Sequence, residues 1–141
     1  MTKAELLDRW YRRVYIEGDL DAVDTLFTDS TRAAGLMDDL QVGPEDLKVF
    51  VAAMLQLVED QGYRIVHTIE HGDWISALFD VRAVAVGSLK PVRLSGQIMV
   101  RFEGERIVEA YNNWDILSFF EQLGLLPEHS LELGMTGQKI A

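Results

Sequence analysis

The sequence predicts an α+β domain: a curved antiparallel sheet wrapped over three or four helices, forming a cone with a hollow inside. Three observations predict it. Apolar residues recur at helical spacing through the first 60 or so positions, they alternate with period two from Tyr63 to Trp114, and the two kinds of pattern follow one another instead of interleaving as they would around a parallel sheet.

The elements follow in chain order. Thr2 and Glu5 have the spacing of a capping box, and Leu6, Leu7, Trp10, Tyr11, Val14 and Tyr15 then mark one face of a first helix that Gly18 stops. Asp19 is placed to cap a second, short helix carrying Leu20, Val23, Leu26 and Phe27 on its inner face. Ser30 to Met37 reads as a weak strand. Gly43-Pro44-Glu45-Asp46 opens another helix, with proline in the first turn and acids at the positive end of the dipole. Leu47, Phe50, Val51, Met54, Leu55 and Val58 continue it to Gly62. Strands are then expected at Tyr63 to His71, Trp74 to Val86, Pro91 to Phe102 and Ile107 to Trp114, with a hairpin turn at Glu103-Gly104. In the third of these, Val92, Leu94, Ile98, Val100 and Phe102 share one face while Arg93, Ser95, Gln97 and Arg101 share the other. A last helix near Ile116 to Leu123 closes at Gly124 and Pro127. Residues 1–127 are expected to form one domain and residues 128–141, with little pattern, a tail or arm.

Composition narrows the function classes. The 141 residues carry 13 basic and 23 acidic side chains, a net charge of −10. Such a chain repels phosphate backbones, and Arg12-Arg13 is its only adjacent basic pair, so nucleic acid is not an expected partner. With no cysteine, thiolate catalysis, disulfides and cysteine-based zinc sites are excluded. No apolar run is long enough for a membrane span and no signal peptide is visible, so a cytoplasmic protein is expected. His67 and His71 are four apart, which on a strand separates them by about 13 Å, too far to share a metal ion. No nucleotide-binding glycine motif and no nucleophile elbow is present.

The stretch GQIMVRFEGERIVEAYNNWDILSFFEQLGLLP, Gly96 to Pro127, resembles the SnoaL-like polyketide cyclases of the nuclear-transport-factor-2-like, or cystatin-like, superfamily. The resemblance rests on the turn Glu103-Gly104-Glu105-Arg106-Ile107, the strand end Asn112-Asn113-Trp114-Asp115 and the helix end Gln122-Leu123-Gly124. Upstream, RWYRRVYIEGDLDAVDTLFTDS and GPEDLKVF are also similar to the first helices of that family. The resemblance implies a conical, barrel-like α+β fold, a homodimer formed through the outer face of the sheet, and an aspartate at the position of Asp115 acting as acid and base in an aldol-type ring closure without a cofactor. Limonene epoxide hydrolases are similar at the same place. The chain departs from these relatives in the middle strand, where Phe79-Asp80-Val81-Arg82 replaces a Gly-Thr-His type segment and reverses the Arg-x-Asp order of the epoxide hydrolases.

Residue by residue, Asp115 is the first candidate catalytic group. An even-length loop at Glu103-Gly104 sets odd positions after the turn beside even positions before it, so Asp115 joins the apolar face of Leu94, Gly96 and Ile98. A carboxyl group there would lose hydration and rise in pKa toward the neutral range. An odd-length loop reverses the assignment, and Asp115 is equally placed to cap the last helix. On the same reasoning Gly96 lies near Asn113 and leaves room for a ligand, and Asn113 shares the Asp115 face, where its amide can bind a substrate oxygen. Tyr11 and Tyr15, one helical turn apart, and Trp10 can wall a pocket. Asp80 and Arg82, about 7 Å apart on one side of a strand, form either an oriented charge pair holding water or an outer-face salt bridge. His67 is a further candidate base.

Three readings follow. The first is a cofactor-independent cyclase or isomerase acting on an apolar, polyketide-like small molecule. The second is a non-catalytic ligand-binding or dimerisation module. The third is epoxide hydrolysis through water activated by Asp80, Arg82 and Asp115, which requires Asp80 and Arg82 to point inward.

Overall fold

A computed structural model describes residues 1–37 and 40–140. Helix α1 (Lys3–Tyr11) begins at the predicted cap, where Thr2 Oγ1 accepts a hydrogen bond from Glu5 N at 3.1 Å. It continues as a π-helical turn over Arg12–Ile16, closed by Glu17 N donating to Arg12 O, five residues back, at 3.0 Å. A 3-10 helix follows at Leu20–Thr25. Asp19 precedes it but does not cap it with its side chain; the carboxylate instead pairs with Arg13 at 3.0 Å.

Strand β1 (Phe27–Met37) begins three residues before the expected Ser30 and pairs with the short β2 (Leu40–Val42). Helix α2 (Pro44–Leu55) starts as read and ends well before Gly62, because Val58 already belongs to β3 (Val58–His71). Strands β4 (Trp74–Ala85), β5 (Pro91–Glu103) and β6 (Arg106–Trp114) match the sequence reading within a residue or two. Helix α3 (Ile116–Gln122) follows, and the tail after Pro127 contains a short helix α4 (Ser130–Met135). Helix α4 is tied back to α3 by Ser130 N donating to Glu121 Oε1 at 3.1 Å. The final position of the tail reading, 141, lies outside the described residues.

The six strands form one curved sheet in the order β2-β1-β6-β5-β4-β3. It is mixed and not purely antiparallel, since β1 runs parallel to β6. Helices α1 and α2, with the turns between, cover the inner face. Leu7, Val14, Leu47 and Val51 from the helices meet Ile75, Phe79, Ile98, Val100 and Phe102 from the sheet in one buried core. A smaller cluster of Ala83, Ala85, Val92 and Phe119 sits under α3. Each fully buried aliphatic or aromatic side chain of this kind is worth about 1.5–3 kcal/mol over leaving it in water, so the inner face decides how each strand is oriented. Among the described residues no helix is long and apolar enough to cross a membrane.

The β5–β6 hairpin sets the faces at the end of the sheet. Glu103 pairs with Arg106 and Phe102 with Ile107 around the two-residue loop Gly104-Glu105, and the turn uses Gly104 at φ +60°, a conformation that suits a residue without Cβ. The next pair is Arg101 with Glu109, so Val108 is an extra residue, a β-bulge. From there on even positions of β6 face even positions of β5: Val100 meets Ala110, Ile98 meets Asn112 and Gly96 meets Trp114. The loop is of even length, as expected, but lies one residue later than Glu103-Gly104, and the bulge exchanges the two faces of β6. Trp114 and Asn112 point inward, whereas Tyr111, Asn113 and Asp115 point outward and are exposed.

Candidate functional site

Between the inner face of the sheet, α2 and α3 lies a partly enclosed cavity of about 100 Å³. Its walls are almost wholly apolar: Phe79, Val81, Ala83, Leu94 and Trp114 from the sheet, Phe50 and Met54 from α2, Ile116 and Phe119 from α3, and Leu36 from β1. Tyr11, Tyr15 and Ile16 enter from the first helix and its π turn. That turn carries Tyr15 directly over Tyr11, their rings stacked with centroids 5.6 Å apart. Tyr11 in turn packs on Phe79 at 4.6 Å, and Phe79 on Trp114 at 5.6 Å, so an aromatic wall runs from the helix to the end of β6.

Gly96 makes that wall possible. A Cβ at position 96 would sit 2.0 Å from Trp114 Cε3 and 2.3 Å from its Cδ2. The glycine therefore makes room for the indole of Trp114, not for a ligand beside Asn113 as the sequence suggested.

Polar groups in the lining are few. Tyr63 donates its hydroxyl to Asp8, whose Oδ1 and main-chain oxygen both lie 2.6 Å away. Gln61 donates to Tyr15 O at 2.9 Å. The hydroxyls of Tyr11 and Tyr15 hydrogen-bond to no group among the described residues and are free to face a guest. Burial pushes the Tyr11 phenol well above its usual pKa, reinforced by Tyr15 and Tyr63 nearby, and burial does the same to Tyr15. Both stay protonated at neutral pH and act as hydrogen-bond donors, not as bases. Among the described residues no carboxylate, ammonium, guanidinium or imidazole lines the cavity.

Tyr11 and Tyr15 are thus brought together on the cavity as the helical spacing implied. Trp10 is buried beside them but lines a smaller hollow, and its indole N–H is engaged by Val23 O at 3.2 Å. The remaining candidates are elsewhere. Asp115 is exposed and caps α3, accepting from Ser118 N at 3.2 Å, for the register reason given above. Asn113 is exposed on the opposite face from the cavity. Asp80 and Arg82 alternate with the cavity residues Phe79, Val81 and Ala83, and so lie on the outer face. There Asp80 pairs with Arg93 at 3.4 Å and with Arg64 at 3.8 Å. His67 is exposed opposite Leu78, again outside, after an irregularity in β3 between Ile65 and His67. The inward geometry that epoxide hydrolysis requires of Asp80 and Arg82 is not present, and that reading ends here.

Sequence reasoning missed Trp114, Phe79, Tyr63 and the α2 side chains Phe50 and Met54 as cavity walls. The odd-numbered apolar positions of β4 carried the signal for Phe79; nothing short of the bulge carried it for Trp114.

Comparisons with known proteins agree with this architecture. The model of the SnoaL-like domain matches residues 7–110. A candidate polyketide cyclase from Acidithiobacillus ferrooxidans is 22% identical over 88% of this chain and 96% of its own, with a TM-score of 0.72. TsrD from Streptomyces laurentii is 19% identical over 88% of this chain and 96% of its own, with a TM-score of 0.73. AclR from Streptomyces galilaeus, a candidate hydroxylase, is 15% identical over 96% of this chain and 89% of its own, with a TM-score of 0.77. At these identities the likeness is one of fold. No curated protein matches the chain.

Proposed function

We propose, from the premise that the chain belongs to the SnoaL-like domain family, that it binds an uncharged, largely apolar organic molecule and rearranges it as a cofactor-independent cyclase or isomerase. One observation carries the reading: an aromatic cavity whose unengaged polar side-chain groups are uncharged and include the phenols of Tyr11 and Tyr15. A charged guest would lose its hydration there with no countercharge among the described lining residues to replace it. An apolar guest gains from the same walls, and an engineered apolar cavity of about 150 Å³ takes up benzene. The present hollow, about 100 Å³ and only partly enclosed, sets the guest at no more than one ring.

The phenols give the guest an orientation. A carbonyl or hydroxyl oxygen within reach of Tyr11 or Tyr15 accepts a hydrogen bond in surroundings of low dielectric. If negative charge develops on that oxygen, as when an enol carbon of the same guest adds to the carbonyl carbon and the enol proton ends on the new hydroxyl, the bond strengthens. Removal of one such donor from an oxyanion site costs about 10²- to 10³-fold in rate. Asp115 is not required, because its carboxylate is exposed and engaged in capping α3.

The absence of an acid–base group from the described lining favours a second reading, binding without chemistry. Homodimer formation through the outer face, where Leu78, Met99 and Tyr111 are exposed, belongs to either reading and is checked by light scattering.

The discriminating experiment is a panel of single-ring ketones and phenols tested by thermal shift and then for conversion. Stabilisation of the wild type, reduced by Tyr11→Phe and Tyr15→Phe and unchanged by Asp115→Asn, is the expected result. Conversion of a stabilising compound supports the enzyme; stabilisation with no conversion supports the binding module. If Asp115→Asn abolishes conversion while leaving stabilisation intact, the phenol assignment is wrong.

A further inference from the structure

A second, smaller hollow of about 20 Å³ shares Tyr11, Tyr15 and Leu36 with the larger cavity as a common wall. Leu7, Phe27, Val100 and other apolar side chains line the rest of it, together with Asn112. Asn112 is only 8% exposed. Its amide faces Ala34 O at 3.0 Å, and because a carbonyl oxygen can only accept, the nitrogen must be the atom turned that way. The other end, Oδ1, receives no hydrogen bond among the described residues. No buried side-chain polar atom among them is both sealed and unpartnered, so Oδ1 stays open to a group the size of water. The small hollow is the one that Asn112 lines.

Size fixes what fits. A single water needs about 10–15 Å³ measured this way, so about 20 Å³ holds one oxygen with little room to spare. An amide oxygen left without a donor in apolar surroundings carries its full desolvation penalty, which one hydroxyl relieves. Tyr11 and Tyr15, whose hydroxyls are themselves unengaged, belong to the same wall.

We propose that this hollow is a one-oxygen subsite, occupied by a hydroxyl group that donates to Asn112 Oδ1. The hydroxyl belongs either to a water molecule or to a guest in the larger cavity that reaches past Tyr11. The guest alternative rests on the reading of the larger cavity given above; the water alternative does not.

The test uses the full chain with two probes, phenol and toluene, which differ by a hydroxyl in place of a methyl group. Crystals of the wild type, Asn112→Asp and Asn112→Leu are compared free and soaked with phenol, and both probes are titrated by calorimetry. Both variants lose the amide donation to Ala34, so a merely structural role would affect them alike. The subsite instead demands an oxygen about 2.6–3.2 Å from the residue-112 acceptor in the wild type and Asn112→Asp, and none in Asn112→Leu. A fall of about fivefold in the phenol-to-toluene affinity ratio in Asn112→Leu assigns the hydroxyl to the guest. An unchanged ratio with an ordered oxygen in place assigns it to water. An empty hollow in both wild-type crystals overturns the proposal, and needs no variant to fold. If neither probe binds, the reading of the larger cavity fails, and the ligand-free crystal alone decides the subsite.

Discussion

The β4–β5 and β5–β6 ladders share a strand and differ by one residue. From Trp74–Arg101 to Val84–Pro91 the first ladder runs without interruption, so every odd position of β4 faces the core and every even one faces out. The second ladder slips at Val108, and every residue of β6 beyond it changes sides relative to an unbroken hairpin. A side-chain period of two makes one unpaired residue sufficient to decide which groups a cavity can use. In β4 the consequence is that Asp80 and Arg82 stay outside; in β6 it is that Trp114 and Asn112 come in and Asn113 and Asp115 go out.

The comparison is broken most severely at Phe79, the inner-face residue of β4 that touches Tyr11, Tyr63 and Trp114. Phe79→Ala is expected to cost about 3–5 kcal/mol in urea denaturation, whereas its outward neighbour Leu78, 36% exposed, should cost under about 1 kcal/mol when changed to alanine. At the joint between the ladders, Gly96→Ala forces the Trp114 indole out of its place and should cost about 3 kcal/mol. Gly62→Ala in β3, where the new Cβ meets nothing within 4 Å, is the matched control and should lie within about 0.5 kcal/mol of wild type.

The inner-face phenols sharpen the same contrast with pH. Tyr11 has a raised pKa in the folded chain, so the folded state holds its proton after the unfolded state, titrating near about 10, has released it. Stability should therefore be level below pH 10 and fall as pH rises above it, by about 1.4 kcal/mol at pH 11 for Tyr11 alone. Equilibrium unfolding of Tyr11→Phe over the same range should show a shallower fall. Asp115→Ala removes a helix cap and should cost about 1 kcal/mol in the same denaturation assay, with no change in binding of a cavity probe by calorimetry. Apart from the Gly62 control, a small effect is also expected at Asp80→Asn, whose partners Arg64 and Arg93 are largely exposed: under about 1 kcal/mol, and less in high salt.

Much of this architecture was legible in the chain. The Thr2 cap, the α2 start at Pro44 and the alternation of β5 all rest on local physics, and each is found in place. The site was less legible, because local physics does not count ladder pairs. Ile107 and Val108 are both apolar, so either can fill an inward position and neither announces a bulge. Asn112 and Asn113 are the same residue in succession, separated only by register; one is buried against Ala34 and the other is in water. The parallel pairing of β1 with β6 is invisible for a similar reason. Its partners lie far apart in the chain, and nothing in either strand names the other.

That parallel pairing bears on the order in which the molecule can assemble. Strands β3, β4 and β5 meet neighbours close in sequence and can zip as consecutive hairpins. Strand β1, made before β6, has no lasting partner except the three-residue β2 until β6 has been synthesised, and the Thr31 hydroxyl must find the Ile107 carbonyl across 76 residues. Closure over so long a loop is slow and comes late. A nascent chain stalled before β6 would therefore display an unzipped edge and a greasy interior, making the interval between the synthesis of β1 and that of β6 one of exposure to aggregation.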